Sequence, residues 1–246
     1  YSGDTNLNAG TLAYGSDTAL GNGTLNIADG TTLANAGGDH TINNPIAVNG
    51  NFTHDTADIT SSTQFTGSVD LGNATRQIGF TGDGDTSFSG AITETGGTAG
   101  LTLNNVGMSE LDVFFDGSAS NSYAGSTTVD GDINLWLQKT GGATAIAGNL
   151  NILPNGVVNV DLNEQIADTA HVQIDTGGKL YIANGVTETI RQLAGAGTVE
   201  LESLAPGAQL VVGQGIFSGQ ITGGNAATNA LTKNTANNLI LTGNNT

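Results

Sequence analysis

Apolar and polar residues alternate along this chain in short bursts, among them TNLNAGTLAY (5–14), GTLNIADGTTL (23–33), HTINNPIAV (40–48) and FTGSVDL (65–71). A period of two places Leu7 on the opposite side from Asn6 and Asn8, and Leu25 and Ile27 opposite Asn26, the signature of a half-buried strand. Gly, Asn and Asp separate the bursts, so the pattern predicts many short strands joined by tight turns, with no helical periodicity in the first half. The most apolar stretch runs from Ile133 to Leu162 and holds the single tryptophan. Leu135 to Leu137 there suits a core or a contact with a neighbour. One helical turn fits Ala143 to Ala147 or Glu164 to Ala167.

Certain phrases return. YSGDT at Tyr1 is echoed by YAGST at Tyr123, 122 residues on; RQ-apolar-Gly followed by FSG-x-I occurs from Arg76 and again from Arg191, with Phe88 and Phe217 129 apart. Two half-repeats, about 1–122 and 123–246, are therefore expected within one continuous segment. Read end to start, LTKNTANNLILTGNNT and YSGDTNLNAGTL also form two alternating strands about a Thr-Gly-Asn turn. The expectation that follows is one period of a longer tandem array.

A sandwich does not call for similar segments at such intervals, whereas a parallel β-helix does. Each coil adds a strand to growing sheets, rungs lie about 4.8 Å apart, and like residues stack in ladders along the axis. At roughly 20–25 residues per coil, the chain should make about ten to twelve coils and reach some 50–60 Å.

Composition sharpens this picture. The chain holds 38 glycines and only 11% charged residues, against about 25% charged in ordinary domains. Glycine without a three-residue period excludes collagen, and the apolar alternation argues against disorder. Twenty-two acidic residues against five basic ones give a net charge of −17. The basic residues Arg76, Lys139, Lys179, Arg191 and Lys233 are scattered, which leaves no footprint for nucleic acid and predicts repulsion from anionic membranes. There is no cysteine, which excludes disulfides and thiolate metal sites and is compatible with export as an unlinked chain. No run of eighteen apolar residues suggests a membrane span, and YSGDTN lacks the features of a signal peptide.

The phrases LTKNTANNLILTGNNT, YSGDTNLNAGTLAYGSDTALGNGTLNI and SYAGSTTVDGDINLWLQKTGGATAIAGNLNI, with QIADTAHVQIDTGGKLYIANGVTETIRQLAGAGTVEL (165–201), resemble the autotransporter-associated β-strand repeat of bacterial passenger domains and giant surface proteins. The likeness is looser between about Asp39 and Glu110. It implies an all-β, right-handed parallel β-helix (β-solenoid) displayed at the bacterial cell surface as a stalk, fibre or adhesive face, and it brings no catalytic residues with it. No outer-membrane barrel accompanies the segment, so the resemblance leaves the export route open.

Glycoside hydrolysis requires two carboxylates on one wall, and the sequence offers Asp55 with Asp58, Asp83 with Asp85, and Asp130 with Asp132. Solvated turn carboxylates are the favoured reading of all three. GDGDTSF (82–88) echoes a calcium-binding nonapeptide, with Asp83 and Asp85 as ligands, but stands alone where such sites recur. His40, His54 and His171 lack metal or triad spacing and suit surface or ladder positions. GAGT (195–198) is too short for a phosphate loop. Core packing is the favoured reading of Phe114, Phe115 and Trp136, with an exposed contact patch as the alternative. The expected role is a non-enzymatic extracellular structural protein, without cofactor, stacking end to end on identical units. The alternative is an adhesin passenger that binds an extracellular glycan, a neighbouring cell or a protein through its lateral face.

Overall fold

The computed structural model describes residues 1–107, 109–223 and 228–246, among which every strand pairing is parallel and no helix occurs. Three sheets form the walls of a β-solenoid, of which only the second runs its whole length. The first has five strands, from Thr5–Leu7 to Ile92–Thr93. The second has twelve, from Thr11–Tyr14 to Leu239–Leu241, and the third nine, from His40–Ile42 to Gln220–Thr222. From Leu25 to Phe115 the chain visits them in that order on each turn, and beyond Phe115 it alternates between the second and the third. Eleven successive rungs of the second sheet, at about 4.8 Å each, make a column roughly 50 Å long.

Alternation in the sequence becomes in-register stacking. On the inner side of the second sheet, Phe52, Ile78, Leu103, Val129, Ile152 and Ile174 lie in one ladder. On the inner side of the third, Phe65, Phe88, Phe115 and Leu137 do the same. All ten are buried. Phe65 and Phe88 stack with centroids 5.3 Å apart, and Phe88 meets Phe115 edge-on at 6.0 Å. Each such side chain contributes about 1.5–3 kcal/mol of apolar burial, which stabilises a rod that has no disulfide.

The wealth of Asn and Asp has a specific cause. At the corners their side-chain oxygens accept hydrogen bonds from backbone N–H groups one turn further on: Asp4 from Thr24 (2.8 Å), Asp29 from Asn51 (2.9 Å), Asp39 from Ser62 (3.0 Å), Asn149 from His171 (2.9 Å) and Asn163 from Thr187 (2.8 Å). Corner amides that no strand can pair are satisfied in this way. Glycine answers a different need at the corner between the third and first sheets. A Cβ on Gly90 would sit 2.0 Å from the Gly67 carbonyl oxygen, and one on Gly67 would sit 2.0 Å from that of Asn44.

The first sheet stops after Ile92–Thr93, and buried polar side chains take over its work. Asn121 accepts from the Ile92 N–H (2.8 Å) and donates to the Ala145 carbonyl (2.7 Å). Gln165 brackets Lys139, accepting from its N–H (2.7 Å) and donating to its carbonyl (3.0 Å). Glu188 accepts from the N–H groups of Gln165 (2.8 Å) and Ile166 (3.1 Å), while burial pushes its carboxyl up to about 8. Further on, the first face and the second merge. Thr187–Gly195 and Gln209–Phe217 are nine-residue strands that pair with each other along both halves, while Gln192–Gly195 also pairs back to His171–Ile174.

One sequence expectation needs correction. Neither Ala143–Ala147 nor Glu164–Ala167 is helical; Ile146 and Ile166 instead form an isolated parallel bridge with both side chains buried. The apolar pattern there was core packing without a continuous strand. His54 takes a ladder position, as expected, but on the inner side of the second sheet, in register with Leu33 and Phe80. It is fully buried, with Nε2 3.0 Å from the Tyr14 hydroxyl and Nδ1 3.1 Å from Thr86 Oγ1, and burial pushes its imidazole down to about 3.

The echoed tyrosine phrases make the same local bond, from Tyr1 to Thr5 and from Tyr123 to Thr127. They lie on different faces: Thr5 opens a strand of the first sheet, Thr127 one of the second. A step of 122 residues thus spans five turns and one further face.

Candidate functional site

The third sheet carries the most distinctive outer surface. Its central outward ladder reads Thr41, Gln64, Ser87, Phe114, Trp136, Asn159, Tyr181 and Glu200 along the axis. Strand alternation decides these directions: in Leu111–Phe115, Phe115 faces the core and Phe114 the outside, and in Ile133–Leu137 the flanking leucines are buried while Trp136 is half-exposed. Core packing therefore holds for Phe115 and fails for Phe114 and Trp136. Those two stack outside, centroids 6.2 Å apart and planes inclined by 14°. The Trp136 indole N–H donates to Asp112 (2.9 Å), which fixes the ring.

Beside the aromatic pair lies a groove of about 330 Å³, floored by Thr41, Gln64 and Ser87 and closed at one end by Phe114. Asp39 and Asp85 stand along one margin and Asp116 along the other. Asp39 accepts from the Ser62 N–H (3.0 Å) and hydroxyl (2.8 Å) through a single oxygen. Asp116 likewise uses one oxygen for the hydroxyls of Ser87 (2.8 Å) and Ser89 (2.7 Å). Among the described residues, no donor reaches the second oxygen of either. From inside the rod, the Lys139 ammonium donates to the Asp116 carbonyl at 2.8 Å and anchors that margin. Burial pushes the Lys139 amine down to about 8, partly offset by Asp116.

The three candidate carboxylate pairs all fall at strand ends and the bends beside them, in keeping with the turn reading. Asp58 belongs to an exposed loop, where bonds from Thr60 and Ser61 hold its carboxyl below the usual range. Asp130 ends a strand of the second sheet and accepts from Asn104 (2.9 Å); Asp132 follows the turn at Gly131 and precedes a strand of the third. Asp83 lies in a turn before the strand Asp85–Phe88. Asp112 lies one rung from Asp85, and burial followed by the charge of Asp112 raises the Asp85 carboxyl. Asp85 thus meets an acidic neighbour one turn away, a relation that short sequence spacings do not carry, although like positions in successive strands do. Among the described residues no group of three or more His, Cys, Asp or Glu side chains is disposed to hold a metal ion.

His40 sits at the far end of the groove, its Nδ1 3.3 Å from Asp17 and its Nε2 3.2 Å from the Gly37 carbonyl. His171 is exposed and far along the rod, and GAGT forms part of a bend between strands of the second and third sheets. Set against known families, curated proteins and solved structures, the chain matches none.

Proposed function

We propose that this chain is a non-enzymatic structural protein displayed outside a bacterial cell, a β-helical unit of a surface fibre that stacks end to end on identical units. The observation that carries the reading is the second sheet, twelve parallel strands joined without a break from Thr11 to Leu241. Such a sheet makes the chain one stiff column, and the templating that adds turn to turn also adds unit to unit. The missing thiols, the acidic surface and the likeness to passenger-domain repeats support a place outside the cell.

Negative-stain microscopy of the purified chain tests this. Rods of uniform width should appear, roughly 50 Å long or in multiples of that length, with long ones favoured as concentration rises. Particles that stay single at every concentration would overturn the stacking. A second reading, an adhesive passenger that holds a partner by its lateral face, is favoured by the outward Phe114–Trp136 stack beside its groove.

A further inference from the structure

We propose that the groove on the outer face of the third sheet, together with the Phe114–Trp136 platform, binds an extended polysaccharide whose sugars carry free amino groups. This deepens the lateral-face reading and stands apart from the stacking one.

Shape and chemistry agree on the occupant. An extended β-linked chain advances by about one rung of the solenoid per sugar, so successive rings meet successive positions of one outward ladder. Phe114 and Trp136 lie nearly parallel, 6.2 Å apart, and give the groove an apolar end against which the apolar side of a sugar can rest. The amide of Gln64 and the hydroxyls of Thr41 and Ser87 can exchange hydrogen bonds with sugar hydroxyls.

The margins choose the charge. Asp39, Asp85 and Asp116 border the groove, and among the described residues no donor reaches the second oxygen of Asp39 or Asp116. An ammonium on the sugar supplies donors to those oxygens and is also attracted to the aromatic faces. An acidic polysaccharide would meet three carboxylates and a net charge of −17. Hexosamine polymers are thereby favoured over uronate polymers.

Trp136 is the only tryptophan, so its fluorescence reports on this face alone. The intact chain is titrated with β-1,4-linked glucosamine oligomers at mildly acidic pH, where sugar amines and carboxylates are both charged. The N-acetylated oligomers, oligogalacturonate and spermine serve as comparisons. A saturable change in Trp136 emission is expected with glucosamine oligomers and none with oligogalacturonate. Phe114→Ala should weaken binding about tenfold with an unchanged melting temperature. Asp39→Asn combined with Asp116→Asn should remove the preference over the N-acetylated form. No spectral change with the glucosamine oligomers overturns the proposal, as does spermine binding equally well with no effect of Phe114→Ala, which would mean general attraction to an acidic rod. Binding of the N-acetylated oligomer as tight as the free amine overturns the charge assignment while leaving a lateral sugar face in place. Rod length under the microscope is independent of all these outcomes.

Discussion

Two buried side chains set opposite pH limits on the rod. The His54 imidazole, enclosed with Tyr14 and Thr86, has its folded value lowered to about 3, against about 6.5 in an unfolded chain. The stability tied to it is complete above about 6.5 and drains away as pH falls towards 3. Glu188 behaves in the reverse sense, because its folded value is raised to about 8 from 4.5. Its contribution is complete below 4.5 and is lost as pH rises to about 8. Between 4.5 and 6.5 their slopes oppose each other, each bounded by about 1.4 kcal/mol per pH unit. Urea midpoints measured across pH should therefore lose part of their alkaline decline in Glu188→Gln. The difference between wild type and His54→Gln should shrink as the medium is acidified below about 6.5. A Glu188→Gln profile parallel to wild type from pH 4.5 to 8 would contradict the burial argument. None of this was legible in sequence, since a lone His or Glu carries no mark of enclosure until the register of distant turns is known.

Within a single turn, strand and corner divide the labour. Strand positions were readable because alternation specifies them directly: Leu25 and Ile27 face inward as their spacing required. The corners were not readable in detail, since the bond from Asn163 to Thr187 or from Asn121 to Ile92 joins residues one turn apart. The two asparagines differ in consequence. Asn163 is exposed, so Asn163→Ala should cost about 0.5–1 kcal/mol, water replacing the lost acceptor. Asn121 is buried and serves an N–H and a carbonyl, so Asn121→Ala should cost about 3 kcal/mol or more. Equal costs in urea unfolding would show that the corner ladder does not work as described. Gly90→Ala should be worse still, because the added methyl would press on backbone rather than on a movable side chain. Loss of cooperative unfolding or of soluble yield is the expected readout. The same limits of local reading apply to the groove: Phe114 and Trp136 were visible as a pair of interest, but their outward direction needed the strand phase.

Across the whole molecule, the fold class followed from short strands, glycine-rich corners and recurring phrases, and the eleven rungs fall within the expected ten to twelve. Sequence did not announce that the first sheet gives way, because Asn121, Gln165 and Glu188 replace its bonds one residue at a time. A rod of this kind is stabilised by neighbouring turns, so local opening should follow the amount of ladder on each side. Hydrogen exchange of the isolated chain should be slowest in Ile133–Leu137 and Val157–Val160, which have paired strands on both sides, and fastest in Thr5–Leu7 and Leu239–Leu241. Uniform protection along the axis would indicate one all-or-none unit instead.

The phrase shared by Tyr1 and Tyr123 reappears after five turns and one face. Copies of it therefore point along different compass bearings around the rod, as the steps of a spiral stair do. Anything that grips one copy from the side would have to approach the other from a new azimuth, so a flat substrate laid along the column can engage only one of the two.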